Sequence, residues 1–303
     1  MAVAFHLLTH RDPGQTARLL RSLWHEDNTF IIHHDRRRPR AEHAMLASLA
    51  AGFSNVILQT PTPVLWGRFS LYAAQHEGLR LALASGRPWT HWVNLSGQCQ
   101  PLQSPARIQK LLADAGDVSF VRHFRPLIEG EWRDAETRLT RRYIDSPMLE
   151  RWLRLRFIGR RLRRFFGGEN ELPSLPGVRR PLPMTFTWYG GDNWVVLSRS
   201  AAEYLIHSPD AGRIIAELRH SGFPEESIFQ SVMMNSPLAS RVRNDHLRCI
   251  NWRSGIASPG IFTAEDFPRL RAAAAGGRIF ARKFDSVREG VVIARIESEL
   301  LRA

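Results

Sequence analysis

Apolar and polar positions alternate along this chain with two different periods. Short apolar runs at Ala2 to Thr9, Thr29 to His34 and Asn55 to Leu58 have the length of β-strands, while the stretches between them, near Gln15 to Trp24 and Ala41 to Ala51, repeat their apolar residues at helical spacing. Strand following helix in this order predicts βαβ units around a mainly parallel sheet. The pattern continues with a long helix from about Phe69 to Ser85, a strand at Trp92 to Leu95, a helix near Pro105 to Ala115 and a strand at Val118 to Val121. Right-handed crossovers would stack these strands into one open α/β sheet whose carboxyl-end loops carry the site.

From about Arg125 to Met184 the pattern changes to charged, Arg-rich and Pro-rich sequence, which reads as an insertion within a single domain spanning 1–303. Regular elements resume with a strand at Trp194 to Leu197, helices at Ser200 to Ser208 and near Ala211 to His220, and a helix beginning about Pro224. Strand-like and turn-rich pieces follow Leu247, and a helix near Gly290 to Leu301 closes the pattern. There is no internal repeat.

Composition narrows the class. With 303 residues, 44% hydrophobic content and 2 cysteines, the chain is no disordered tail, coiled coil or disulfide scaffold. Met1 to His10 lacks the cationic start and cleavage site of a signal peptide, and no run approaches the roughly 18 apolar residues of a membrane span, so a cytoplasmic protein is expected. The net charge of +13 points to anionic partners. Much of it lies in two runs, Arg36 to Arg38 and the arginines between Arg151 and Arg164, rather than along one face with stacking aromatics, and no nucleic-acid module is recognisable, so binding of nucleic acid is the disfavoured class.

Several common motifs are missing: no phosphate-cradling P-loop, no GxGxxG after the first strand, no HExxH, no paired CxxC and no DxD of the kind that holds a cation on a sugar nucleotide. Seven strings are present in order: LLTHRDPGQ (Leu7 to Gln15), IIHHD (Ile31 to Asp35), LWGRFSL (Leu65 to Leu71), HWVNLSGQCQPL (His91 to Leu102), WYGGDNWVVLSR (Trp188 to Arg199), PEESIFQSVMMNSP (Pro224 to Pro237) and FARKFD (Phe280 to Asp285). Together they make the chain resemble glycosyltransferase family 14, the core-2/I-branching β-1,6-N-acetylglucosaminyltransferases and peptide O-xylosyltransferases.

The resemblance implies a GT-A, Rossmann-like fold, a UDP-sugar donor with N-acetylglucosamine as the first expectation and xylose as the alternative, a carbohydrate or glycolipid acceptor, inversion at the anomeric carbon, and no metal or other cofactor. It matches the family's catalytic glutamate to Glu226. A carboxylate opening a helix has its anionic form favoured by the free N–H groups, and that same preference is the bland explanation of Glu225 and Glu226 as first-turn residues. The family's phosphate-binding Lys matches Lys283, which offsets charge on a leaving diphosphate or else belongs to an exposed basic cluster with Arg278 and Arg282. An extended segment would point Arg282 and Lys283 to opposite faces. The family's second cation falls on no basic residue here, and Arg253 is the nearest substitute.

For the nucleotide, the resemblance implies the loop Thr9, His10, Arg11 and Asp12, then Asp35, the WGRFS segment with Arg68 and Ser70, and Gly97 of NLSG. Asp35 reads equally well as a turn residue heading the Arg36 to Arg38 run. Cys99 stands where many relatives carry an acid and reads as a small buried residue. For the acceptor, Trp252 matches a Trp placed against the sugar, with Trp188, Tyr189, Asp192 and Asn193 on the adjoining loop, although with nine Trp in the chain a core role competes for each. Trp152 to Phe166 repeats apolar residues at spacings of three and four with arginines between, the pattern of a helix lying on an anionic membrane or of an ordinary core-facing helix.

Overall fold

The structure is a computed structural model that describes residues 1–153, 174–182, 185–252 and 258–302. The amino-terminal half runs β1 (Val3–Thr9), α1 (Pro13–Leu23), β2 (Thr29–His34), α2 (Arg40–Ala51), β3 (Val56–Leu58), α3 (Phe69–Ala84) and β4 (His91–Ser96). It continues with β5 (Cys99–Pro101), α4 (Pro105–Asp114) and β6 (Ser119–Val121). A middle segment carries α5 (Pro126–Glu129), α6 (Ala135–Thr140), β7 (Arg141–Tyr143), α7 (Pro147–Leu153) and β8 (Ser174–Arg179). Then come β9 (Val195–Ser198), α8 (Arg199–His207), α9 (Pro209–Leu218), a one-turn 3-10 helix at Pro224–Glu226, α10 (Ile228–Met234), β10 (Val242–Arg243) and β11 (Arg248–Ile250). The last elements are α11 (Phe267–Ala275), β12 (Phe280–Arg282) and α12 (Gly290–Glu299).

Seven strands form the central sheet in the order β10-β6-β9-β4-β1-β2-β3. All neighbours are parallel except β9, which runs antiparallel to both β4 and β6. This is the expected α/β architecture of a mainly parallel sheet flanked by helices. Its strands read as continuous apolar runs because both faces are covered. On one face Val3, Phe5 and Leu7 pack with Leu19, Leu20, Leu46 and Ile108 of α1, α2 and α4. On the other, Ala4, Ile31, Trp92 and Leu197 pack with Tyr72, Leu79, Leu205 and Phe229 of α3, α8 and α10.

A second sheet, β11-β12-β5, sits at the carboxyl edge of the first and closes a third core with α11 and α12. Continuation of β4 into this sheet through Ser96 and Cys99 leaves little room at the turn, where a Cβ on Gly97 would stand 3.2 Å from Thr16 Oγ1 and 3.3 Å from Thr9 Cγ2. The sequence pattern marks β1 to β4, β6 and β9 closely. It misses β5, whose three residues are too few to show a period, and it runs a helix from Pro224 where Ser227, at φ −131°, separates the 3-10 turn from α10. The Arg125 to Met184 stretch, expected as an insertion, holds the two-stranded β7-β8 sheet and is bonded to the rest through Tyr143 N to His220 O (2.9 Å) and Gly222 N to Arg138 O (2.7 Å).

Candidate active site

Strands β1, β2 and β4 end side by side at Thr9, His34 and Ser96, the edge at which an open parallel sheet offers a crevice. β12 is laid across that edge by pairing Arg282 with Cys99 of β5. The carbonyl of Phe284 accepts from Gln15 Nε2 and Gln98 Nε2, both at 3.2 Å, and Ser286 N donates to Gln15 Oε1 at 2.9 Å. Residues 282 to 286 are thereby fixed over the loop after β1.

The result is a cluster of cations. Arg282 donates to Ser96 Oγ and stacks on Trp194, its guanidinium carbon 4.7 Å from the ring centroid. Arg248, fully buried, stacks on the same ring at 5.5 Å and donates to Asn94 O at 2.7 Å and His246 O at 2.6 Å. Burial lowers the pKa of both, that of Arg248 to about 10. Among the described residues, no carboxylate forms an ion pair with either. Lys283 is half-buried, and its pKa falls through burial and then through Arg282 and Arg11. Arg11 forms a 3.5 Å ion pair with Asp285. His10 is held below the ordinary histidine value by the packing around its ring, although solvent reaches it, then by Arg11 and Arg282, with Asp35 pulling the other way. His10, Arg11, Asp35, Arg282 and Lys283 therefore share one field.

Within that cluster the predicted side chains have distinct tasks. Thr9 is buried, its hydroxyl 2.7 Å from His34 Nδ1 and 3.0 Å from the carbonyl of His33, so it pins β1 to β2. Asp35 accepts from Arg37 N at 2.9 Å and Arg37 Nη2 at 2.7 Å. Burial opposes its ionisation, but these bonds outweigh it and hold the carboxyl below the usual range. It heads the turn into Arg36 to Arg38 at the end of β2, as the turn reading expects. Cys99 is fully buried beside Ser96, its sulfur 3.4 Å from the Ser96 amide nitrogen.

Glu226 lies in the second group. Arg138 Nη1 donates to its Oε2 at 2.9 Å, and the same guanidinium is held at 4.3 Å from the Trp132 ring, at 4.4 Å from the Phe223 ring and by Asp134 at 2.9 Å. The helix-terminus expectation for Glu226 is corrected here. Only a three-residue 3-10 turn precedes the break at Ser227, and burial raises the carboxyl's pKa against the opposing pull of Arg138. Its side chain is 30% exposed, which limits that rise. Glu226 O accepts from Gly191 N at 2.9 Å, placing Asp192 beside it. A Cβ on Gly191 would lie 2.0 Å from Arg122 O, so the loop passes too close for any other residue. Asp192 is 3.3 Å from His246 Nε2 and 3.7 Å from Arg122 Nη1; burial raises its pKa and lowers that of His246 to about 4.

The two groups are continuous. Asp192 acts on Glu226 on one side and on Arg248 on the other, and Arg248 and Arg282 share Trp194. Other predicted residues serve the frame. Arg68 and Ser70, expected beside the nucleotide, bond instead to the middle segment: Arg68 Nε to Ile144 O at 2.8 Å, Ser70 Oγ to Asp145 Oδ1 at 3.1 Å. The reason is that α3 begins at Phe69 and its first turn receives Asp145, whose Oδ2 accepts from Ser70 N at 2.6 Å. Asn193 accepts from Gln75 Nε2 at 2.7 Å, and Trp188 is a core residue 5.9 Å from Trp132. Trp252 is 54% exposed. Arg253 and the 154–166 part of the amphipathic pattern lie outside the described residues.

The model of the core-2/I-branching enzyme family matches residues 3–271. The chain belongs to that family. Proteins similar to it include human xylosyltransferase 2, 28% identical over 306 residues covering 94% of this chain and 32% of that protein. Rat xylosyltransferase 1 is 24% identical over 319 residues, covering 98% and 35%. The chain thus spans about a third of the length of these relatives. A solved structure, core-mannan synthase A of Aspergillus fumigatus in its Mn/GDP form, overlaps 79% of this chain and 72% of its own at 9% identity and a TM-score of 0.34, too slight a likeness to carry an argument.

Sequence reasoning missed Arg138, Arg248 and His246 as members of the candidate site, and it set Arg282 either in an exposed cluster or opposite Lys283 on an extended segment, with at most one of the two facing the phosphates. Arg278 is the residue that turns outward to Asp245, while Arg282 turns in. Arg138 is separated from Glu226 by 88 positions and sits in the stretch taken for an insertion, so no local spacing marks it.

Proposed function

We propose that this family member is an inverting glycosyltransferase that moves a sugar from a UDP-sugar to a hydroxyl of a carbohydrate or glycolipid acceptor, forming a β-linkage. The observation that carries the reading is one edge holding both a carboxylate, Glu226, and a set of three cations, Arg282, Lys283 and Arg11, of which, among the described residues, Arg11 alone forms an ion pair with an acid, Asp285. Such a pair matches the two charge problems of the reaction. Glu226 takes the acceptor proton while the acceptor oxygen bonds to the anomeric carbon from the face opposite the diphosphate. The bond from that carbon to the β-phosphate oxygen breaks, and UDP leaves with the electron pair, its charge met by Arg282 and Lys283.

In this reading the cations take the charge-neutralising part that a divalent metal plays elsewhere, so it includes metal independence. The exposed Trp252 supplies a stacking face for the acceptor. N-acetylglucosamine is the sugar first expected from the motifs; the relatives' names favour xylose as the second candidate. Turnover of a panel of UDP-sugars by wild type and Glu226→Gln tests the whole proposal. Transfer from none of them, or equal transfer by both proteins, would overturn it.

Among the described residues no helix is long and apolar enough to cross a membrane. The proposed setting is the cytoplasm, with peripheral contact to an anionic membrane through the segment that begins at α7, where Trp152 is 48% exposed. Vesicle flotation with and without anionic lipid tests it, and failure to float on anionic vesicles would overturn the contact.

A further inference from the structure

Glu225, next to the base, has no role in the reaction just described. Its side chain is sealed, with only 2% of the residue exposed, and among the described residues its Oε2 has no hydrogen-bond partner. Two carboxyls on consecutive residues of one 3-10 turn thus occupy opposite environments. Glu226 is open to the cleft and bonded to Arg138, while Glu225 faces inward beneath it.

Among the described residues few charged groups lie around the turn. Arg138 of α6 is the cation bonded to it, already shared between Glu226 and Asp134. Asp192, before β9, adds negative charge at Glu226. From the turn before α3, the amide of Gly67 favours the ionised form of Glu225, and Arg68 sends Nε to Ile144 O. From α10, Gln230 donates its amide to Asp192 O at 2.7 Å. A second carboxylate at this place would set two negative charges side by side with one guanidinium between three acids, and would leave one ionised oxygen buried and unbonded.

The geometry points to Glu225 as a positioning residue that keeps its proton beneath Glu226, so that the two carboxyls together carry one charge and one proton while the base works. This rests on the reading of Glu226 as the base. Burial, and then Glu226 itself, raise the proton affinity of Glu225. When the proton is finally lost at higher pH, the new charge raises the proton affinity of Glu226 and pulls at the bond to Arg138, so the oxygen that accepts the proton from substrate is no longer held in one place.

The test compares wild type with Glu225→Gln, which mimics the neutral carboxyl. In wild type, the pH profile of kcat/KM should show an acidic limb and a second inflection at higher pH. In Glu225→Gln the acidic limb should stay within about half a unit while the upper inflection disappears. A retained upper inflection, or an acidic limb lowered by about one unit or more as expected on removing an ionised neighbour, would overturn the proposal.

A second readout needs no substrate. A group with raised folded-state pKa loses its stabilising effect as pH climbs from the unfolded carboxylate value through the folded one, so urea unfolding of wild type should weaken over that range more than that of Glu225→Gln. Identical slopes would overturn the proposal. Should Glu225→Gln not fold, the infrared C=O band of a protonated carboxyl in wild type at neutral pH takes its place, and its absence would be decisive against it. Undiminished transfer by Glu226→Gln would instead remove the base while leaving the difference in unfolding slope intact.

Discussion

Arg248 and Arg282 lie on one indole, 5.5 and 4.7 Å from the ring centroid of Trp194. Two cations so close and so buried repel each other and forgo hydration, an arrangement that stacking on an aromatic face relieves only in part. On the proposed function, the diphosphate is the anion that completes it.

Replacing Arg282 by Gln should therefore weaken binding of UDP by at least about tenfold, the value of one charge-assisted hydrogen bond near 1.5 kcal/mol, and leave uridine affinity nearly unchanged. Lys283→Ala should do the same. Calorimetric titration of both ligands checks this; equal losses for UDP and uridine would show that the nucleoside pocket, not the phosphate site, had been damaged.

Glu226→Gln should lose transfer by roughly 10² to 10⁴-fold while keeping UDP affinity. Arg138→Gln should act differently. Arg138 favours the ionised base, so its removal raises the proton affinity of Glu226 and shifts the acidic limb of kcat/KM to higher pH. A limb that stays put, measured over pH 5 to 9, would assign that ionisation to another group.

Activity should persist in saturating EDTA. Loss that manganese or magnesium restores would assign part of the charge neutralisation to a metal and send the search to Asp35 and Asp192.

Gly191→Ala should destabilise the fold by about 1–3 kcal/mol, because the added carbon meets the backbone oxygen of Arg122 rather than a movable side chain. Thermal denaturation checks this. Trp252→Ala, on an exposed ring, should leave the melting temperature unchanged and raise the acceptor KM with little change for the donor.

The sheet was largely legible from β1, β2 and β4 because strands covered on both faces carry mostly apolar residues without a two-residue alternation, and runs such as VAFHLLT and TFIIHH, bounded by helical patterns, admit few other readings. At the candidate site, motif and chemistry single out Glu226 and Lys283 from the sequence, and the structure puts Glu226 on Arg138 and Lys283 beside Arg282 and Arg11. The site was not legible where tertiary contact assigns the task. Nothing in the string FARKFD says which cation turns inward, and Arg138 becomes a site member only because Gly222 bonds to its carbonyl and Phe223 packs on its guanidinium. Arg68 and Ser70 show the converse, side chains from a motif spent on Ile144 and Asp145.

The bonds of Phe284 O to Gln15 and Gln98 span 269 and 186 positions of sequence. During synthesis the parallel sheet can therefore assemble long before the chain reaches the segment that brings Arg282 and Lys283 to it. Loop closure over such distances is slow, so a nascent chain should spend its time as a formed sheet with an unfinished edge. If the proposed donor site is right, nucleotide retention reports that these distant segments have met, and a chain stopped before residue 280 should show native-like secondary structure while failing to hold the diphosphate.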